Sequence, residues 1–307
     1  MLACLLWLAA APAWAETAIV TNQGDDSVSV VDTASGRVVQ TVRVGSKPAG
    51  VAVAGGRAFV SNPEGRSVTV LERQGAGFVA VAEVPAGAGP LGIAAHPGDG
   101  RVFVADWYGD TVAVLGGPGW AVQATVTVGR SPSGLAVDAG AGRLYVANRE
   151  SDTLSVVDLQ TLATVATVPV GRAPFGVTLH GGRVFVANVQ SGDVSVVDAA
   201  TLAEVRRLPV GEFPYAVAVA PDGSRILVTN QHSATLAAYD GAYNRLPDIP
   251  VGEYPEGIAM SADGRRAYVA VWMDNKLAEV DVQAGRVVRR IAVGDGPRAF
   301  GLFLAGE

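Results

Sequence analysis

From Thr17 onward, apolar residues alternate with small or polar ones over runs of four to six positions, as in SVSVVD, TLSVVD and DVSVVD, and each run ends at a cluster of Gly, Asp, Asn or Pro. A period of two puts alternate side chains on opposite faces of an extended chain, so the pattern predicts short β-strands joined by tight turns. Beyond the first fifteen residues no stretch supports a helix of useful length.

The punctuation is itself periodic. Gly45, Gly87, Gly129, Gly171, Gly211, Gly252 and Gly294 follow one another at spacings of 42, 42, 42, 40, 41 and 42. Each opens a segment of the form VGxxPxGxAV, as in VGSKPAGVAV, VGRSPSGLAV and VGEFPYAVAV, and about fifteen residues later comes a second element, AIVTN, AFVSN, VFVAD, LYVAN, VFVAN, ILVTN or AYVAV. One period holds four strands, typified by GVAV (A), AFVSN (B), SVTVLE (C) and ATVTVG (D). A sheet of that size cannot bury both faces alone, whereas seven stacked around an axis can. The expected fold is all-β: a seven-bladed β-propeller of four antiparallel strands per blade, forming one domain over residues 16–307.

Two local features fit this arrangement. Strand A is rich in Gly and Ala beside Val, as expected of innermost strands crowded at an axis. The Asp closing strand C (Asp32, Asp158, Asp198, Asp240, Asp281) opens a turn in which a short carboxylate bonds backbone two residues on. These aspartates are assigned to turns rather than to chemistry. The mature chain starts at a strand B (TAIVTN) and ends just after a strand A (AFGLFL), so the C-terminal strand is expected to complete the first blade.

The first residues read differently. An apolar run from Leu2 to Ala11, then Pro12 and Ala13-Trp14-Ala15 before Glu16, has the form of a signal peptide over residues 1–15 cleaved after Ala15, although no Lys or Arg precedes the apolar core. The expected location is therefore periplasmic or secreted. No later stretch reaches the roughly 18 apolar residues of a membrane-spanning helix. The single cysteine, Cys4, falls in the signal, which removes disulfides, thiolate catalysis, thiolate metal sites and covalently attached haem from the mature protein. The net charge of −6 belongs wholly to residues after the signal, and the arginine pairs (Arg206-Arg207, Arg265-Arg266, Arg289-Arg290) are scattered near strand ends, so a nucleic-acid partner is not expected.

The AIVTN, LYVAN and ILVTN elements, the VGxxPxG connectors and the VVD strand ends together resemble the YVTN family of bacterial propeller repeats over essentially the whole mature chain. The resemblance implies a periplasmic or secreted seven-bladed propeller. In that family such a propeller is sometimes a ligand- or protein-binding accessory and, in distant relatives, a quinoprotein subunit or lactonase. Asp106 and Val271 stand where the family pattern has Asn, and those two blades are expected to have different loops.

A Gly-x-Gly-x-x-Gly match at Gly87, Gly89 and Gly92 runs into a strand A rather than opening a helix, so a dinucleotide cofactor is not expected. His96 and His180 fall in A-to-B turns and His232 in a B-to-C loop, on opposite faces of a propeller, so the three cannot share an ion. The informative positions are those where the repeat is broken on the face bearing the D-to-A connectors and B-to-C loops. The residue after the connector Pro reads Ala49, Leu91, Ser133, Phe175, Tyr215, Glu256 and Arg298 around the ring, with Phe213 and Tyr254 one step out. The B-to-C loops add Trp107, Tyr108, Arg149, His232, Trp272, Met273 and Asp274. Blades share the same packing needs, so aromatics confined to some of them either plug the axis or line a ligand site.

The candidate rim is Trp107, Tyr108, Arg149, Phe175, Tyr215, His232, Tyr254, Glu256, Trp272, Asp274 and Arg298, with Glu256 and Arg298 set to pair with each other or with a polar ligand. The leading expectation is a monomeric, non-catalytic accessory or scaffold without cofactor or metal, binding a small molecule or a periplasmic protein on this face. The alternative is an enzyme: a lactonase-like hydrolase with a metal on His232, Glu256 and Asp274, or a partner subunit of a quinone-linked dehydrogenase.

Overall fold

The alternating segments extend and pair antiparallel with their chain neighbours. In the computed structural model, which describes residues 16–306, they form seven sheets in a ring, a β-propeller whose blades each hold four antiparallel strands. Blade 6 is representative, with strand A at Pro214–Val219, B at Arg225–Asn230, C at Thr235–Asp240 and D at Arg245–Pro250. The regular helix among the described residues is a single 3-10 turn, Pro118–Trp120. The signal peptide expected over residues 1–15 lies outside the described residues. Among those described, no helix is long and apolar enough to cross a membrane.

Blades bury their faces on one another. Phe103 and Val112 of blade 3, for instance, pack with Leu135 and Leu144 of blade 4, all but Leu135 fully buried. Closest to the axis the backbones nearly touch, and a Cβ at Gly92 would collide with the carbonyl oxygen of Ser133 in the next blade.

The Asn ending strand B ties three segments together. Asn148 Nδ2 donates to Thr153 Oγ1 (3.0 Å) and Ser155 Oγ (2.9 Å) of strand C, and its Oδ1 accepts from Gly129 N of the connector (3.1 Å). Asn22 and Asn230 receive their connector glycines, Gly294 and Gly211, in the same way. Where Asn is missing, the connector changes. Asp106 accepts from the amides of Ala88 and Gly89 in blade 3, and in blades 3 and 7 alone the connector glycine turns to positive φ, 115° at Gly87 and 124° at Gly252. The turn aspartates behave uniformly: Asp32, Asp158, Asp198, Asp240 and Asp281 all accept backbone amides of the following turn.

The ring closes through the C-terminal strand, with one irregularity. Leu304 and Ala305 pair antiparallel with Ala18 and Thr17 and so complete blade 1. Phe300–Leu302 does not follow this register but runs parallel to strand A of blade 2, opposite Gly50–Ala52. The cause is a two-residue excess. Pro297 precedes Gly301 by four residues, whereas Pro48 precedes Gly50 by two. Ala299 N bonds Thr21 Oγ1 (2.8 Å) as Gly50 N bonds Ser61 Oγ (2.9 Å), so Ala299 holds the glycine's place and the surplus bulges toward the axis.

Candidate ligand-binding site

Two rings of backbone positions, set by the repeat, build a bowl on the connector face. The inner ring is the residue after each connector Pro. Ala49, Leu91, Ser133, Phe175, Tyr215 and Glu256 there are all buried and Arg298 is partly so. Phe175 and Tyr215 pack at 4.2 Å between ring centroids, and Phe300, driven inward by the bulge, meets them at 4.9 and 5.5 Å. These rings floor the bowl, so the aromatics of the inner ring plug the axis.

The outer ring is the residue following strand B: Gln23, Trp107, Arg149, Val189, Gln231 and Trp272. Each donates its backbone N–H to the carbonyl of the residue preceding a connector Pro, at 2.9 to 3.1 Å. All six line one cavity of about 490 Å³, together with Phe175, Phe213, Tyr215, His232, Tyr254, Glu256 and Arg298.

The residue before the connector Pro is left-handed at Lys47, Ser131, Ala173, Phe213 and Tyr254. For a bulky side chain this conformation costs about 1–2 kcal/mol. At Phe213 (φ 54°) and Tyr254 (φ 55°) it turns the ring up beside His232. The result is an arc over blades 6 and 7: Phe213 stacks on His232 at 3.9 Å, His232 meets Tyr254 edge-on at 5.2 Å, and Tyr254 meets Trp272 at 6.2 Å. The Tyr254 hydroxyl lies 3.3 Å from His232 Nε2.

Charge is unevenly placed. Arg298 Nε donates to Glu256 Oε2 at 2.5 Å, its Nη2 donates to the Tyr215 hydroxyl, and Gln231 Nε2 donates to Glu256 Oε1 at 3.1 Å. Burial pushes the Glu256 carboxyl above the usual carboxylate range against the pull of Arg298 and Gln231, and it raises the Tyr215 phenol as well. Burial opposes the charge on Arg298, but Glu256 and Tyr215 outweigh it and hold that pKa above the ordinary arginine value. Across the bowl, Arg149 lies over the faces of Trp107 and Phe175, 5.9 Å from each centroid. Burial lowers its pKa, and among the described residues its guanidinium has no hydrogen-bonded or ion-paired partner.

Two of the residues expected on the rim stand elsewhere. Tyr108 is 75% exposed and lies against Gly89 outside the cavity, because the loop turns outward one residue past Trp107. Asp274 sits against Gly252 with Arg290 at 3.9 Å. With Asp274 there, Glu256 held by Arg298 and His232 between two rings, the alternative metal set is not assembled. Among the described residues no group of three or more His, Asp or Glu is arranged to hold a metal ion.

Gln23, Val189 and Gln231 were not expected. Aligning the residue after strand B in every blade would have found them beside Trp107, Arg149 and Trp272. On the opposite face, below the Phe300 plug, a second cavity of about 600 Å³ is lined by small and aliphatic strand-A residues and Leu302, with His180 its one ionisable group.

Fold and bowl together define a seven-bladed β-propeller with an aromatic-walled, floored cavity on its connector face. No family model and no curated protein sequence matches the chain. Solved structures do. A functionally unknown protein from Desulfotomaculum acetoxidans superposes with a TM-score of 0.79 at 15% identity, covering 92% of this chain and 98% of its own. A periplasmic gluconolactonase from Pseudomonas aeruginosa gives 0.78 at 20%, covering 94% and 98%. A chain of Kuenenia stuttgartiensis hydrazine synthase gives 0.76 at 17%, covering 91% and 99%. At such identities the likeness establishes the fold alone.

Proposed function

We propose that the protein is an exported, periplasmic binding propeller without catalytic activity of its own, and that its ligand sits in the connector-face bowl. The observation that carries this reading is the state of the polar groups there. The one carboxylate among the described lining residues, Glu256, is already engaged by Arg298 and Gln231, and the one hydroxyl that stands beside a base there is a phenol, Tyr254, 3.3 Å from His232 Nε2. What remains is an apolar, concave surface with a few orienting groups, the usual composition of a binding site.

The test is a thermal-shift screen of a chemically mixed small-molecule panel against the wild type and a Trp107→Ala/Tyr254→Ala/Trp272→Ala variant. Tyr215 is left intact, since its ring supports Phe175 and Phe300 and its loss would hollow the floor. Compounds that raise the melting temperature of the wild type should not raise that of the variant. A shift retained by the variant would remove this face from consideration. The P. aeruginosa likeness makes gluconolactone the substrate to include: turnover by the wild type that the triple variant loses would replace the binding reading with an enzymatic one.

A further inference from the structure

We infer that the bowl selects a small organic anion with a flat aromatic body, an aryl carboxylate, and that Arg149 is the group that recognises the carboxylate; this rests on the binding reading above. The first ground is charge. The cavity lining holds two guanidiniums, Arg149 and Arg298, against one carboxylate, Glu256, leaving one positive charge in a chain whose net charge is −6. That charge belongs to Arg149, because Arg298 is already spent on Glu256 and the Tyr215 hydroxyl. Glu150, the next residue along the loop, is exposed and acts on Arg149 as a solvent-screened charge without an ion-pair contact, and Glu212 and Glu253 on the connectors are exposed as well. An ammonium ligand would meet aromatic faces but no free carboxylate.

The second ground is the form of the donor. A guanidinium offers parallel N–H groups in a plane and matches a carboxylate in bidentate fashion. Arg149 is held between Trp107 and Phe175, which restricts it without using its donors. A phosphate would call for several cations or a cluster of free amides, and the outer-ring amides are all committed to connector carbonyls.

The third ground is the opposite wall. Phe213, His232, Tyr254 and Trp272 present contiguous rings, and the two connector residues among them are kept upright by left-handed backbone. Such a wall takes an offset-stacked or edge-on aromatic partner. A polyhydroxylated ligand would require many free donors and acceptors. Here Gln231 is bonded to Glu256, and the Tyr254 hydroxyl and His232 meet each other, which leaves Gln23 as the one free side-chain amide among the described lining residues.

The experiment is calorimetric titration of the mature protein with naphthoate, its uncharged amide naphthamide, and naphthylmethylamine. Naphthoate should bind at least about tenfold more tightly than naphthamide, with the amine weakest. Arg149→Gln should bring naphthoate down to the naphthamide level and leave naphthamide unchanged, with Arg149→Lys recovering part of the difference. Circular dichroism and melting of the variants report whether they are folded. Equal affinity for acid and amide, tighter binding of the amine, an unaffected preference in folded Arg149→Gln, or no binding of any of the three overturns the inference. The thermal-shift panel is not restricted to aryl acids. If naphthoate shows no such preference, a compound of another class that stabilises the wild type but not the triple variant would preserve the binding site while refuting its preference for aryl carboxylates.

Discussion

Arg298 Nε and Glu256 Oε2 meet at 2.5 Å across the seam between blade 7 and the closing strand of blade 1, with 7% of the Glu256 side chain exposed. A buried pair of this kind is worth little against an apolar replacement of both partners, but removing one partner leaves a stranded charge. Arg298→Met should lower stability by about 3 kcal/mol. The double variant Arg298→Met/Glu256→Met should regain most of that loss. Urea unfolding midpoints of the wild type and three variants, including Glu256→Met, complete the cycle, and equal midpoints for Arg298→Met and wild type would contradict it.

The same strand carries the ring closure. Deleting residues 298–307 removes the antiparallel pairing of Ala18 with Leu304 and the Phe300 plug together. The melting temperature should fall sharply and the open edge of blade 1 should promote association, both visible in a melt followed by light scattering. An unchanged melting temperature would show that closure lies elsewhere.

Asn148 is fully buried and bonds two hydroxyls and one amide. Asn148→Ala strands those partners and should cost about 1–3 kcal/mol. Tyr108→Ala, at an exposed ring outside the bowl, should change stability by less than about 0.5 kcal/mol. Parallel denaturant titrations test the contrast.

The turn aspartates set an acid limit. Amide hydrogen bonds hold the carboxyls of Asp158, Asp198 and Asp281 below the usual aspartate value. Their folded pKa lies under the unfolded one, so the stability they contribute is fully present above the unfolded value of about 3.9 and is lost as pH falls through the folded value. The melting temperature should therefore drop as pH is lowered below that value. A melt at successive pH values checks this, and a rising melting temperature in that range would reverse the sign.

Blade number and closure were legible because they depend on backbone requirements that recur: the connector Gly and Pro in all seven periods, and the strand B Asn and the strand C Asp in five each. Asp106 and Val271 announced altered connectors, and Gly87 and Gly252 bear the alteration. The bulge at Phe300 was also written, as a Pro-to-Gly spacing of four in place of two, but it is a single event without a repeat to set it off. The bowl was legible by position more than by chemistry. Trp107, Arg149 and Trp272 stand out by residue type, whereas Gln23, Val189 and Gln231 occupy the same register with ordinary side chains. Tyr108 shows the converse, since a conspicuous residue one place out of register faces solvent. The contact of Arg298 with Glu256 depends on how the closing segment packs against blade 7, which sequence does not encode locally.

Phe300 and Arg298 come from the closing segment of the propeller, yet they form part of the floor on which the whole bowl rests. During synthesis from the N-terminus, the walls of six blades can be in place while the bowl still has a hole at its centre. A chain halted before residue 298 would carry nearly every aromatic group of the site over a floor that lacks the Phe300 ring and the Arg298 tie to Tyr215.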